Sequence, residues 1–132
     1  MTDTLNRYLE EAGKDTSLDV FTVRDVQSRL PAIKHKWVGR LIRAKRKLNE
    51  LYDERDSIKH NLMDRAKEEA AYKVSDVALE KSINKTKAVC SINTEIKDCR
   101  LLIDFLEKTE KIFSSMTFDI KNLSEIMKLE TM

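Results

Sequence analysis

The chain has 132 residues, of which 41% are hydrophobic and 36% are charged, and its formal net charge is +2. It contains two glycines, one proline and two cysteines, which is too few turn residues for an all-β fold and too few cysteines for a disulfide framework. No apolar run approaches the roughly 18 residues that cross a membrane, so the composition predicts an all-α protein with long helices.

The N-terminal part, residues 1–31, is predicted to form short helices. The first spans 5–12, with Thr4 as its N-cap and Gly13 at its end. A connector over 14–18 leads to a second helix that starts after Thr22. We expect Pro31 to open a new helix at its first turn, and a kink within one helix is the alternative. The N-terminus lacks an apolar signal core, and the unpaired cysteines favour a reducing cytoplasm.

A long helix is predicted over residues 32–73. Its seam residues recur in alternating steps of four and three, which is the heptad spacing of a coiled coil. They are Trp37, Leu41, Ala44, Leu48, Leu51, Arg55, Ile58 and Leu62, of which only Arg55 is charged. The helix would be about 63 Å long, whereas a globule of this length is only about 36 Å across. It therefore needs a second long helix or another subunit to cover it.

A second long helix is predicted over residues 76–113, after a corner at 74–76 that Ser75 caps. Its seam contains Val89, Ile92, Ile96, Cys99, Ile103 and Leu106. Serines and a threonine at 114, 115 and 117 are expected to end it, and a last helix is predicted over 117–130. The predicted architecture is a single helical domain, a long antiparallel hairpin with short helices at both ends. Its surplus apolar seam favours self-association.

Positive charge is concentrated in one window. Residues 26–49 contain eight Lys or Arg side chains and no Asp or Glu. Four of them, at 36, 40, 43 and 47, follow helical spacing and share one face. Because like charges repel at this spacing, we expect an anionic partner, and a phosphate backbone is the polyanion that fits a linear row of cations. The candidate DNA-binding residues are Lys34, Lys36, Arg40, Arg43, Lys45, Arg46 and Lys47.

Other interpretations of these residues remain open. The window could be a solvated face, or a basic helix on a membrane surface, although its narrow seam and few aromatics fit a membrane poorly. Trp37 could stack unpaired bases, but its seam position favours core packing. Lys81, Lys85 and Lys87 form a smaller basic patch that either extends the DNA track or is solvated. A glycine inside a helix lowers its stability. Gly39 could permit the close approach of a phosphate backbone or of a neighbouring helix, or it could be a tolerated substitution without a role.

Catalytic, metal and cofactor sites are not predicted. Glycines occur only at 13 and 39, which excludes a P-loop and a dinucleotide fingerprint. The two histidines have no metal-type spacing with the cysteines, and no constellation meets the geometric roles that catalysis requires. We therefore predict a protein without enzymatic activity, metal or cofactor.

The C-terminal half carries a distributed pattern. The segment LLIDF at 101–105 is followed by Ile112, Ser115, Phe118, Ile120, Lys121 and Glu130. In order and spacing these residues resemble the UvsY family, the recombination mediators of T-even and related bacteriophages. The resemblance runs without gaps from 79 to 130. Upstream, Lys36, Trp37 and Val38 resemble the family's entry into its long helix.

The resemblance implies a non-catalytic protein that binds single-stranded DNA, the phage recombinase and the phage single-strand-binding protein. It implies that the chain helps the recombinase load onto coated DNA, in the cytoplasm of the infected bacterial host. It also implies that the C-terminal part builds ring-like homo-oligomers, for which a heptamer is one possible stoichiometry. The residues expected there are Leu102, Phe105, Leu106, Phe113, Phe118, Ile120, Leu123 and Met127.

One motif departs from the family pattern. The family's lysine-alanine-arginine-leucine motif, associated with DNA binding, corresponds after a one-residue shift to Lys59-His60-Asn61-Leu62. Only the first and last residues match, so Lys59 stays a candidate and the basic window is expected to have taken over the DNA-binding role.

The alternative function is a helical coiled-coil adaptor whose basic face binds an acidic protein.

Overall fold

The computed structural model describes residues 2–69 and 75–131, and four helices account for nearly all of them. In chain order they are α1 (Thr2–Asp15), α2 (Val23–Glu69), α3 (Asp76–Asn84) and α4 (Lys87–Glu130). The chain divides into two compact units, the first made of Met1–Ala44 and Leu102–Met132 and the second of Lys45–Leu101. The all-α prediction is confirmed.

None of the helices in residues 2–69 and 75–131 has the length and the apolar character that crossing a membrane requires.

The first unit packs α1 and the beginning of α2 against the end of α4. Trp37 is 1% exposed and lies at the centre. Its ring centroid is 5.7 Å from that of Tyr8 on α1, and 6.3 Å and 6.0 Å from those of Phe105 and Phe113 on α4. Lys34 precedes Trp37 and contacts Thr117, which follows Phe113, so α2 and α4 run antiparallel here. Trp37 is a core residue that joins three helices.

The second unit is built on the predicted seams. Leu51 of α2 is buried against a core that includes Ile83 of α3 and four α4 residues, Val89, Ile92, Ile96 and Cys99. Hydrogen bonds join Tyr52 to Arg100 and Arg55 to Asn93, so α2 and α4 are antiparallel in this unit as well. Ser75 caps α3 by accepting a hydrogen bond from the Ala78 N–H, as predicted. Val74 of the predicted corner and residues 70–73 of the predicted helix lie outside the described residues.

Three predicted boundaries near the N-terminus are wrong. Thr4 is not the N-cap of the first helix, because α1 already begins at Thr2. Gly13 does not end α1, because its backbone stays out of the left-handed region and the helix continues to Asp15. Pro31 does not open a helix but lies inside α2. The stripe of Val26, Leu30 and Ile33 is buried on both sides of the exposed proline. Burying that continuous stripe outweighs the hydrogen bond that proline removes.

The predicted bounds of the second long helix are also wrong. The chain breaks at 85–86, between α3 and α4, rather than running on from residue 76. The expected break at 114–117 is absent, and residues 117–130 are the end of α4 rather than a separate helix. Phe113, Met116 and Ile120 are buried at helical spacing across this stretch. Their packing overrides the modest helix propensity of serine and threonine.

Candidate nucleic-acid interface

Two of the predicted DNA-binding cations are paired with acids of α1. The Lys36 Nζ lies 2.6 Å from Asp15 Oδ2 and 3.4 Å from Glu11 Oε1. Arg40 donates a hydrogen bond from Nη1 to Glu11 Oε2. The acids are four residues apart on α1 and the cations four apart on α2, so one turn of each helix faces one turn of the other. Glu11 and Asp15 were not among the predicted site residues, because the equal spacing of acids and cations becomes a signal only once the packing of α1 against α2 is known.

Aromatic rings surround the same ion pairs. The Trp37 Nε1 donates to Asp15 Oδ2 at 2.9 Å, and the guanidinium carbon of Arg40 lies 4.4 Å from the Tyr8 ring centroid and 4.7 Å from that of Trp37. Trp37 is thus covered on several sides and presents no open face on which a base could stack. The hydrogen bond from Arg40 lowers the pKa of Glu11, and the charges of Arg40 and Lys36 add to this effect while burial opposes it.

The remaining cations of the first unit differ in their surroundings. Lys34 donates from Nζ to Thr117 Oγ1 at 3.0 Å, and Arg29 lies 2.8 Å from Asp25 in an exposed ion pair within α2. Arg43 is exposed and has no ion pair with a described residue. Its guanidinium lies beside Gly39, where a Cβ would come within 3.4 Å of Arg43 Nη1. The atoms nearest to Gly39 therefore belong to Arg43, and no neighbouring helix requires a glycine there.

In the second unit, the basic window ends with three exposed side chains, Lys45, Arg46 and Lys47. Arg46 and Lys47 have no ion pair within the ranges 45–69 and 75–101. Lys59 is partly buried. Lys81 lies on α3, Lys85 follows its last turn and Lys87 begins α4, and all three are exposed. These cations are accessible to a ligand, and their DNA-binding role stays a prediction.

A further group of polar residues in this unit was not predicted. Tyr52, Arg55, Asn93 and Arg100 are joined by hydrogen bonds, and we call them the Tyr52 cluster. From the sequence, Arg55 was identified only as the charged residue of a heptad seam. The signal for the cluster was that interruption, because a cation at an apolar position requires polar partners.

The residues expected to build the oligomer fall into two groups. Leu102, Leu106, Phe113 and Ile120 are at most 5% exposed, because they pack within the chain's own first unit. Phe105, Leu123 and Met127 are partly buried, whereas Phe118 is 70% exposed. Ile126 and Leu129, at 51% and 71% exposed, are further apolar side chains that the sequence analysis did not select. Phe118 is thus the predicted residue most available to another subunit.

Among the described residues, no group of three or more His, Cys, Asp or Glu side chains is arranged to hold a metal ion.

Comparison with known proteins places these features in a family. The family model for UvsY, described as a recombination, repair and ssDNA binding protein, matches residues 11–131. Crystal structures of the bacteriophage T4 recombination mediator protein UvsY in three lattice types have the same fold, with TM-scores of 0.81, 0.77 and 0.75.

Sequence identity to these structures is 16%, 14% and 15%, respectively. The similarity covers 95%, 96% and 92% of this chain and 97% of each T4 chain. No curated protein sequence matches the chain significantly. The match over nearly all of the sequence shows that the chain belongs to the UvsY family of recombination, repair and single-stranded-DNA-binding proteins.

Proposed function

We propose that the chain is a phage recombination mediator that binds single-stranded DNA and promotes loading of the phage recombinase onto DNA coated by single-strand-binding protein. It acts without catalysis of its own, in the cytoplasm of the infected bacterial host. The observation that carries the proposal is a basic window without acids in a chain that belongs to a family of single-stranded-DNA-binding proteins.

The exposed cations of the window are the phosphate contacts in this proposal. Arg43 contributes in the first unit, together with the partly buried Lys34, and Lys45, Arg46 and Lys47 contribute in the second. Lys36 and Arg40 already bind the carboxylates of α1, so a phosphate must compete for them. Additional contacts, weaker because they lie outside the window, come from the remaining candidates, Lys59, Lys81, Lys85 and Lys87.

Self-association strengthens the interaction in this proposal. A ring-like homo-oligomer presents several copies of the cations to one strand, so that weak contacts add through effective concentration. Holding the strand in an altered path displaces the single-strand-binding protein and leaves a free segment for the recombinase. Few exposed groups could read base edges, so we expect little base preference.

Titration of a fluorescently labelled oligo-dT by anisotropy tests DNA binding. Four neutralised phosphates per protomer would make log K fall with log salt with a slope of about −3. Changing Arg43, Arg46 and Lys47 together to Gln is expected to reduce that slope by about 2, because each lost phosphate contact on a single strand removes about 0.7. The matched control changes three exposed lysines of α4, Lys97, Lys111 and Lys121, to Gln.

The result decides between two function classes. Absence of binding at about 50 mM salt, where electrostatic DNA contacts are strong, would contradict the proposal and favour the protein-binding adaptor. An equal loss of slope in the control variant would contradict the assignment to the basic window. Loading itself is measured as the rate at which the phage recombinase assembles on oligonucleotide coated with the phage single-strand-binding protein. We expect the wild type to raise that rate and the window variant to raise it less.

A further inference from the structure

The Tyr52 cluster contains two arginines whose charges have no carboxylate partner among the described residues. Arg100 donates from Nε to the Tyr52 hydroxyl at 2.8 Å and from Nη2 to the same oxygen. Arg55 donates from Nη1 to Asn93 Oδ1 at 3.1 Å. The two guanidinium carbons lie 5.3 Å and 5.2 Å from the Tyr52 ring centroid. Every partner in the cluster is therefore neutral.

Arg55 also carries an unused donor. Its Nε is buried and has no hydrogen-bond partner among residues 2–69 and 75–131, although Arg55 occupies a heptad position that is otherwise apolar. Removing a charge from water is costly unless an opposite charge and further hydrogen bonds compensate. Elsewhere the chain supplies such charges, as for Lys36 and Arg40. In the Tyr52 cluster the described residues supply an amide oxygen and a phenol instead, so an anion that compensates these charges would come from outside the chain.

The unpaired donors of the two arginines suit a phosphodiester in their chemistry. A guanidinium presents parallel N–H groups that match two oxygens of one phosphate, and Arg100 is exposed while Arg55 and Tyr52 are only partly buried. Arg100 donates from Nε and from one Nη2 N–H to the Tyr52 hydroxyl, which leaves the edge formed by Nη1 and the second Nη2 N–H for a ligand. The Tyr52 hydroxyl fixes the plane of that fork, so Tyr52 is a positioning residue.

We propose that Arg55 and Arg100 together bind one backbone phosphate of single-stranded DNA, at a site separate from the basic window. The inference rests on the proposed function, because it takes the family's single-stranded DNA as the source of the phosphate. The proposed contact involves residues of both α2 and α4 in the second unit, whereas the basic window lies on α2 alone.

The test compares oligo-dT binding by the wild type with three variants. Arg100→Gln and the double variant Arg55→Gln, Arg100→Gln are expected to bind about tenfold more weakly at low salt, since charge-assisted hydrogen bonds to phosphate are lost. The slope of log K against log salt is expected to shrink by about 0.7, the value for one phosphate on a single strand. Arg65→Gln is the matched control, an exposed arginine of α2 in the same unit, and it should leave the slope unchanged.

Two further measurements separate binding from a structural role. Thermal unfolding shows whether a variant is folded, and Arg100→Gln keeps the test valid if loss of the partly buried Arg55 disrupts the unit. Tyr52→Phe retains every cation but frees Arg100, so we expect weaker binding with a slope close to that of the wild type. A cluster that only joined helices would lower the unfolding temperature and leave the salt slope unaltered.

The possible failures are distinguishable. If the wild type does not bind oligo-dT, the proposed function fails and this inference with it. If the wild type binds and the window variant weakens binding, but the Arg100 variants behave like Arg65→Gln, only the inference is overturned. Unchanged DNA binding together with weaker binding of poly-glutamate would assign the cluster to an acidic protein, and that result would also overturn it.

Discussion

Glu11 links the charge of α1 to two cations of α2. Its pKa is lowered from the ordinary 4.5, mainly because Arg40 donates a hydrogen bond to the carboxylate. A lowered pKa in the folded state means that folding favours the ionised form. The stabilisation is therefore fully present above pH 4.5 and is lost as pH falls below that value and through the lowered folded-state pKa.

Glu11→Gln is accordingly expected to unfold at lower denaturant concentration than the wild type at neutral pH. The difference should narrow as pH falls below about 4.5, where the Glu11 carboxylate of the unfolded chain becomes protonated, and it should close once pH passes the lowered pKa of the folded state. Urea unfolding at a series of pH values measures this. Glu10→Gln removes the same charge from an exposed neighbour and serves as the control. A gap between Glu11→Gln and the wild type that is constant with pH would contradict the argument.

The ion pairs of Lys36 and Arg40 could be predicted only in part from the sequence. The spacing of Lys36 and Arg40 correctly placed them on one side of α2, but it did not identify what they face. Their partners Glu11 and Asp15 lie 21 to 29 residues earlier in the chain. A pattern along one helix contains no information about which turn of another helix packs beside it.

At the scale of elements, the junction of α3 and α4 depends on Thr86. Its Oγ1 donates to the Ile83 carbonyl at 2.6 Å and accepts from the Val89 N–H at 3.4 Å. The hydroxyl thus adds a second hydrogen bond to the Ile83 carbonyl, which also accepts from the Thr86 N–H, and it satisfies an orphan N–H at the start of α4, as a threonine N-cap does. Val89 itself is fully buried, so the cap fixes a core residue.

Thr86→Ala is expected to lower the free energy of unfolding by about 1 kcal/mol, the usual effect of removing an N-cap hydroxyl. Chemical denaturation followed by circular dichroism measures it. Thr94→Ala is the control, because the Thr94 hydroxyl only donates to the Cys90 carbonyl within α4 and is exposed. Equal effects of the two substitutions would show that Thr86 has no special role at the junction.

Elements could be predicted where apolar periodicity defines them, but many of their boundaries could not, although the start of α2 after Thr22 and the Ser75 cap of α3 were predicted correctly. The seam from Val89 to Leu106 was predicted residue by residue and is buried. Gly13, Pro31 and the serines at 114 and 115 indicated helix ends that do not occur, because local preferences of about 1 to 3 kcal/mol are outweighed by burial of adjoining stripes. The break at 85–86 lacks glycine and proline, so composition gave no sign of it.

At the scale of the whole molecule, apolar residues that the first unit leaves exposed are the candidate contacts for the proposed self-association. Phe118, Ile126 and Leu129 lie on α4 and are 70%, 51% and 71% exposed. At 100° per residue, the three fall within about 80° of one another around the helix. Leu102, Leu106 and Phe113 are already buried within the chain, so we expect the proposed self-association to use this other side of α4. Large exposed apolar side chains grouped on one face are typical of an interaction surface.

Changing Phe118 and Leu129 together to Ser is therefore expected to weaken self-association without unfolding the chain. It should also weaken oligo-dT binding by about tenfold or more at low protein concentration, because separate protomers lose the effective concentration that a ring provides. Light scattering coupled to size-exclusion chromatography gives the mass, and circular dichroism confirms the helices. Phe21→Ser is the control, since Phe21 is 94% exposed but precedes α2. A monomeric wild type, or a double variant with the mass of the wild type, would show that this face of α4 does not build the assembly.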